Sequence, residues 1–80
     1  MKLPRDLSGQ DLARALAKYG YRVTRQKGSH MRLTTLHLGE HHITIPTHDA
    51  LRPGTLTGIL DMVAAHLEIS RQELQSALFE

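Results

Sequence analysis

Residues 21–46, YRVTRQKGSHMRLTTLHLGEHHITIP, decide the fold of this 80-residue chain. Apolar and polar residues alternate in three short runs within this stretch, and a period of two is typical of strands with one buried face. Gly28 and Gly39 lie between the runs, where glycine favours tight turns. The stretch therefore predicts a three-stranded antiparallel meander.

Strand parity predicts which side chains face inward. The residues expected to pack against helices are Tyr21, Val23, Met31, Leu33, Ile43 and Ile45. The residues expected on the opposite face are Arg22, Thr24, Gln26, His30, Arg32, Thr34, His42 and Thr44. The alternation slips after Thr34, where we expect a bulge or the end of the second strand.

A first helix is predicted before the strands, over about residues 9–19. Ser8 is a favourable N-cap, and Asp11 stands at the third helical position, where an acidic residue completes the cap. Gly20 follows the last apolar position and is suited to end the helix.

Two helices are predicted after the strands. Apolar residues return to helical spacing after Pro53, which predicts a long helix, and Gly58 within it indicates close packing at that turn. Ser70 begins a capping box that predicts a short helical extension over 70–79, at the periphery of the core.

The order of elements predicts an α+β protein, with a three-stranded antiparallel sheet covered by helices on one face. The α-β-β-β-α order is that of the double-stranded RNA-binding fold, with a short extra C-terminal helix. We expect one domain over residues 1–80, with a core at about 8–67, because a chain of this length accommodates a single small domain.

Composition excludes several classes of function. The chain has no cysteine, so thiolate catalysis and thiolate metal sites are excluded. No run approaches the length of a membrane span, and the first residues lack the apolar stretch of a signal peptide, so we expect a cytoplasmic protein without membrane contact. Six basic and no acidic residues lie between Leu12 and Gly39, which favours a polyanionic partner.

Three segments in this order resemble the HicA toxin family, the YcfA-like mRNA interferases. They are Gln26-Lys27-Gly28-Ser29-His30, Ile43-Thr44-Ile45-Pro46-Thr47-His48, and Pro53-Gly54-Thr55-Leu56 followed by Ile59-Leu60. The resemblance runs from about Ser8 to Leu67. It implies the toxin of a toxin–antitoxin pair, an endoribonuclease that cleaves mRNA without a metal or other cofactor and is neutralised by a HicB-type antitoxin. The family's catalytic histidine falls on His30, with Gly28 and Ser29 as its motif partners.

The residues around His30 are suited to this chemistry. Cleavage by the ribose 2′-hydroxyl needs a base, an acid and positive charge near the phosphate, and histidine serves either proton role at neutral pH. The candidate substrate-binding residues are Lys27, Gly28, Ser29, Arg22, Arg25 and Arg32. The second proton-transfer group stays open between His48, His42, Lys27 and water.

Other classes of function remain open. His37, His41, His42 and His48 invite a zinc or nickel site, but we predict none, because no acidic or cysteine partner stands at a familiar ligand spacing. The same basic face could serve a non-catalytic RNA-binding module. An open sheet face or edge strand could also dock another protein.

Overall fold

The computed structural model describes residues 3–80. Its elements are α1 (Gly9–Leu16), a 3₁₀ turn (Ala17–Tyr19), β1 (Arg22–Lys27), β2 (His30–Thr35), β3 (His41–Pro46), α2 (Pro53–Leu67) and α3 (Arg71–Phe79). The three strands form one antiparallel sheet in the order β1-β2-β3. The predicted α+β class and α-β-β-β-α order are confirmed. No helix within residues 3–80 is long and apolar enough to cross a membrane.

Helix α1 begins and ends as its sequence predicts. The Ser8 hydroxyl accepts a hydrogen bond from the Asp11 N–H, and the Asp11 carboxylate accepts one from the Ser8 N–H. These hydrogen bonds with Ser8, followed by the contact with Arg14, lower the pKa of Asp11. Gly20 adopts a φ of +82°, a left-handed conformation that favours glycine and ends the helical segment.

The inner face of the sheet forms the core with the helices. Met31 and Leu33 from β2 and Ile43 and Ile45 from β3 are all buried, as predicted. Strand β2 ends at Thr35, where the slip in the alternation indicated a bulge or a strand end. The pattern of apolar residues therefore fixes the orientation of β2 and β3.

Strand β1 departs from the predicted parity. Val23 is 48% exposed, so its predicted place in the core is wrong. The strand is an edge strand, and all its residues are exposed. A β-bulge between Val23 and Arg25 also shifts the register. Gln26 pairs with Met31 and lies on the inner side, so its predicted outward position is wrong as well.

The helices pack closely at one point on the sheet. Gly9 at the start of α1 lies against β3, and a Cβ on Gly9 would lie 1.9 Å from the Pro46 carbonyl oxygen. The Gly9 N–H donates a hydrogen bond to the His48 carbonyl at 3.0 Å. Only glycine permits this approach of backbone to backbone.

Two predictions about the later helices are wrong. Gly58 does not mark close packing, because a Cβ there would meet nothing within 4 Å. Helix α3 is not peripheral, because Leu74 is fully buried among the core residues. The Lys18 ammonium also donates to the Ala77 carbonyl at 2.8 Å, which ties α3 to the end of the first helical segment.

Candidate nucleic-acid interface

The face of the sheet turned away from the helices, here the outer face, carries the candidate site. Residues directly opposite one another on the strands define three rows. The first row is Lys27, His30 and Pro46; the second is Arg25, Arg32 and Thr44; the third is Arg22, Thr34 and His42. Adjacent rows are two residues apart along a strand, so their spacing is about 6.7 Å.

The hairpin between β1 and β2 positions the first row. Gly28 and Ser29 form its two-residue turn, and Gly28 adopts a φ of +57°, as the first position of a type II′ turn requires. The register pairs Lys27 with His30 directly across the hairpin, which brings their Cβ atoms to about 5 Å. The Ser29 carbonyl accepts from the Thr47 N–H at 2.8 Å, which holds the turn to the segment after β3.

The His30 side chain is exposed and available to a ligand. Within residues 3–80 its imidazole forms no hydrogen bond and no ion pair. The space above the neighbouring Gly28 is also open, because a Cβ there would meet nothing within 4 Å. A phosphate could therefore approach both the ring and the backbone of the turn.

The structure narrows the search for a second proton-transfer group. His42 lies opposite Thr34, four residues along β2 from His30, or about 13 Å in the strand direction. This separation is too great for both rings to act on one phosphate. Lys27 lies directly opposite His30, and the exposed His48 follows Thr47 beside the turn. Lys27, His48 and water remain as candidates.

The second row contains an unfavourable contact of like charges. Arg25 and Arg32 lie directly opposite each other, and like charges in that position destabilise a sheet. The bulge produces this pairing by turning Arg25 and Lys27 to the outer face. The ion pairs within residues 3–80 involve Asp11, Glu40 and Asp61, and none of them includes an arginine or lysine of the outer face.

All the predicted site residues therefore lie on the outer face or in the turn at its end. Four cations lie in the same row as His30 or in the next two rows, and none has an acidic partner within residues 3–80. They are Arg22, Arg25, Lys27 and Arg32. Gly28 and Ser29 form the turn at one end of this surface. Its electrostatic character is that of an anion-binding site.

The third row holds a hydrogen-bonded chain of side chains that the sequence did not predict. The His42 Nε2–H donates to Glu40 Oε2 at 2.7 Å, and His42 Nδ1 lies 2.7 Å from Thr34 Oγ1. Thr34 Oγ1 lies 2.9 Å from Thr24 Oγ1. A carboxylate only accepts, so in the neutral ring Nδ1 accepts from Thr34. Both ring nitrogens of His42 are thus engaged.

A second group of histidines lies at the far end of the inner face. The His41 and His66 rings are stacked, with centroids 4.5 Å apart, and the Tyr21 hydroxyl lies 2.7 Å from His41 Nδ1. Burial raises the pKa of Tyr21 to about 12, so the phenol keeps its proton and donates it. Burial, followed by the nearby His66 and His42, lowers the pKa of His41. These residues stabilise the fold away from the outer face.

No metal centre is formed by these histidines as they are arranged. Within residues 3–80 no group of three or more histidine, aspartate or glutamate side chains is placed to hold a metal ion. His41 and His42 are adjacent in β3 and lie on opposite faces of the sheet, as neighbours in a strand must.

The fold and the site together define a small α+β protein with a basic sheet face that bears an exposed histidine. A protein-family model described as the HicA toxin of bacterial toxin–antitoxin systems matches residues 9–65. The chain belongs to this family, which confirms the resemblance, and it is the toxin of a toxin–antitoxin pair with an antitoxin as its partner. No curated protein and no solved structure matches the chain.

Proposed function

We propose that this toxin is a metal-independent endoribonuclease, an mRNA interferase, in which His30 is the catalytic residue. The observation that carries the proposal is a set of cations without an acidic partner in residues 3–80, placed around the exposed imidazole of His30. Arg25 and Arg32 are held opposite each other despite their repulsion, which a bound polyanion would relieve. RNA is a polyanion, and a single histidine can catalyse its cleavage by transferring a proton.

The reaction follows from the groups in the first two rows. The ribose 2′-hydroxyl attacks the adjacent phosphorus, its proton passes to a base, and the P–O bond to the 5′-oxygen breaks as that oxygen takes a proton from an acid. His30 performs one of these transfers, and Lys27, His48 or a water molecule performs the other. Lys27, directly opposite His30, stabilises the charge that develops on the phosphoryl oxygens, and Arg25 and Arg32 hold the RNA backbone one row further along.

The outer face is also suited to binding of the antitoxin. A HicB-type antitoxin that covered the outer face would block His30 and neutralise its cations in one interface. An acidic surface on that antitoxin would match the charge of the three rows. The proposed substrate places the toxin's action in the cytoplasm, where mRNA is translated.

Cleavage assays with the purified toxin in EDTA test the activity. We expect it to cut a labelled single-stranded RNA and to leave DNA of the same sequence intact, because DNA lacks the attacking hydroxyl. Binding to RNA without cleavage at any enzyme concentration would favour the non-catalytic RNA-binding module. Absence of both binding and cleavage would favour a protein-interaction domain. Cleavage of the DNA would contradict attack by a 2′-hydroxyl.

A further inference from the structure

The second and third rows enclose a shallow depression of about 470 Å³. It is lined by Thr24, Arg25, Arg32, Thr34, Glu40 and His42. The depression is largely open to solvent, so a bound nucleotide would stay partly exposed. The depression lies on the same face as His30, one to two rows further along β2.

The two ends of the depression have opposite charge. Arg25 and Arg32 form the end near His30, and neither has an acidic partner within the described residues. Glu40 and His42 form the other end. A nucleotide has the complementary polarity, because its phosphate is anionic and the amino groups of its base donate hydrogen bonds.

Glu40 keeps one oxygen for a ligand. Its Oε2 accepts from His42 Nε2, whereas its Oε1 forms no hydrogen bond within residues 3–80. The side chain is 65% exposed, so a base can reach it. A carboxylate accepts well from the exocyclic amino group of a base. Uracil has no such group, and the carbonyl oxygens on both sides of its only ring N–H repel a carboxylate.

The planar imidazole ring of His42 is held beside the Glu40 carboxylate. Its ring is fixed at both nitrogens, by Glu40 and by Thr34, and the side chain remains 36% exposed. Histidine rings stack on unpaired bases in RNA recognition. The fixed ring can therefore orient a base toward Glu40 Oε1 without taking part in proton transfer.

We propose that this depression is a single-nucleotide subsite that selects bases with an exocyclic amino group over uracil. The phosphate lies on Arg25 and Arg32, and the base lies between His42 and Glu40. The inference rests on the proposed function, since it takes single-stranded RNA as the ligand. The row spacing of about 6.7 Å is close to the separation of successive phosphates in an extended strand, so the subsite reads a base near the cleaved bond.

Binding of short labelled RNAs tests the subsite. In a His30→Ala background, which keeps the RNA intact, fluorescence anisotropy compares oligoadenylate, oligocytidylate and oligouridylate of equal length. We expect about three- to tenfold weaker binding of oligouridylate, the range for one hydrogen bond of ordinary net strength. Glu40→Gln should remove the preference, because an amide also donates to the oxygens of uracil. The control Glu68→Gln removes the same charge from the exposed end of α2 and should retain the preference.

The outcomes separate this subsite from the nuclease. Equal affinity for the three RNAs, or equal behaviour of the Glu40 and Glu68 variants, would overturn the subsite and leave the proposed nuclease intact. Failure to bind any RNA would overturn both. Arg25→Gln should weaken all three complexes alike and leave the ratio of their affinities unchanged. A change in that ratio would contradict the assignment of Arg25 to the phosphate and of Glu40 to the base.

Discussion

The two faces of the sheet are made by alternate residues of the same strands, yet they have opposite properties. On β2, Met31 and Leu33 are buried in the core, while His30 and Arg32, which alternate with them, are exposed. The inner face is apolar and closely packed, whereas the outer face carries like charges opposite each other. Burial on one face stabilises the fold enough to tolerate the repulsion on the other.

The difference between the faces indicates that stability and function depend on different residues of the toxin, which are neighbours along each strand. Substitutions on the inner face should change the free energy of unfolding, and substitutions on the outer face should change RNA binding and cleavage.

The largest effect on stability is expected from Leu33→Ala. The side chain is fully buried, so truncation should lower the free energy of unfolding by about 2–5 kcal/mol. Urea denaturation followed by circular dichroism measures the loss. The control Thr44→Ala, on the outer face of β3, should stay within about 0.5 kcal/mol of wild type. Similar losses in both variants would contradict the division between the faces.

A smaller effect, on binding alone, is expected from Arg32→Gln. Removing one phosphate contact should weaken RNA binding and reduce the slope of log K against log salt by about 0.7. Titrations at several salt concentrations measure the slope. Arg71→Gln removes an equal charge from α3, where Arg71 pairs with Asp61, and should leave the slope unchanged. An unchanged slope in the Arg32 variant would exclude that residue from the interface.

Acidification should weaken the inner side of the molecule. The folded state lowers the pKa of His41, so the fold favours the neutral ring. That contribution to stability is fully present above the unfolded pKa of about 6.5, and it is lost as the pH falls through the lower folded value. The positive charges of His66, which stacks on the ring, and of His42, the next residue along β3, oppose protonation of His41, and Tyr21 donates to the ring.

Thermal unfolding between pH 7.5 and 5 measures this dependence. His41→Asn should flatten the decline in melting temperature, because the titrating ring is removed. His48→Asn, at an exposed position, should leave the decline as steep as in wild type. A wild-type melting temperature that does not fall over this range would show that the histidine pair does not couple to folding.

The smallest effect is a gain in stability from Gly58→Ala. Gly58 lies inside α2, and an added methyl group meets nothing within 4 Å. Alanine should therefore raise the free energy of unfolding by about 0.5–1 kcal/mol through its higher helix propensity. A denaturation curve measures this gain, and RNA cleavage should not change. A loss of stability would mean that the site is more crowded than its geometry shows.

The sequence predicted most of the fold because its signals are local. The Ser8 cap, the turn at Gly28 and the period-two runs each act within a few residues, and they define the order and the ends of the elements. It also indicated candidate site residues at and beside the hairpin, and their roles in binding and cleavage stay predictions. Their arrangement as three rows needed the register of the strands.

The remaining errors come from contacts that are distant in the chain. The bulge in β1 has no glycine or proline to signal it, so Gln26 was assigned to the wrong face and the pairing of Arg25 with Arg32 was not expected. The hydrogen bonds from Glu40 through His42 to Thr34 depend on the register of β2 with β3, and only the last contact, from Thr34 to Thr24, involves the bulged strand. The prediction for Gly58 was wrong because a glycine in a helix indicates close packing only where another element approaches it, and none within residues 3–80 does so here.

We expect His30 to perform the chemistry of the outer face without contributing to the stability of the fold. The most direct measurement is the rate of RNA cleavage in EDTA by wild type and His30→Ala, with melting temperatures taken on the same preparations. We predict at least about a hundredfold loss of rate, as for removal of a general acid or base, with an unchanged melting temperature. Equal cleavage by the two folded proteins would contradict the claim.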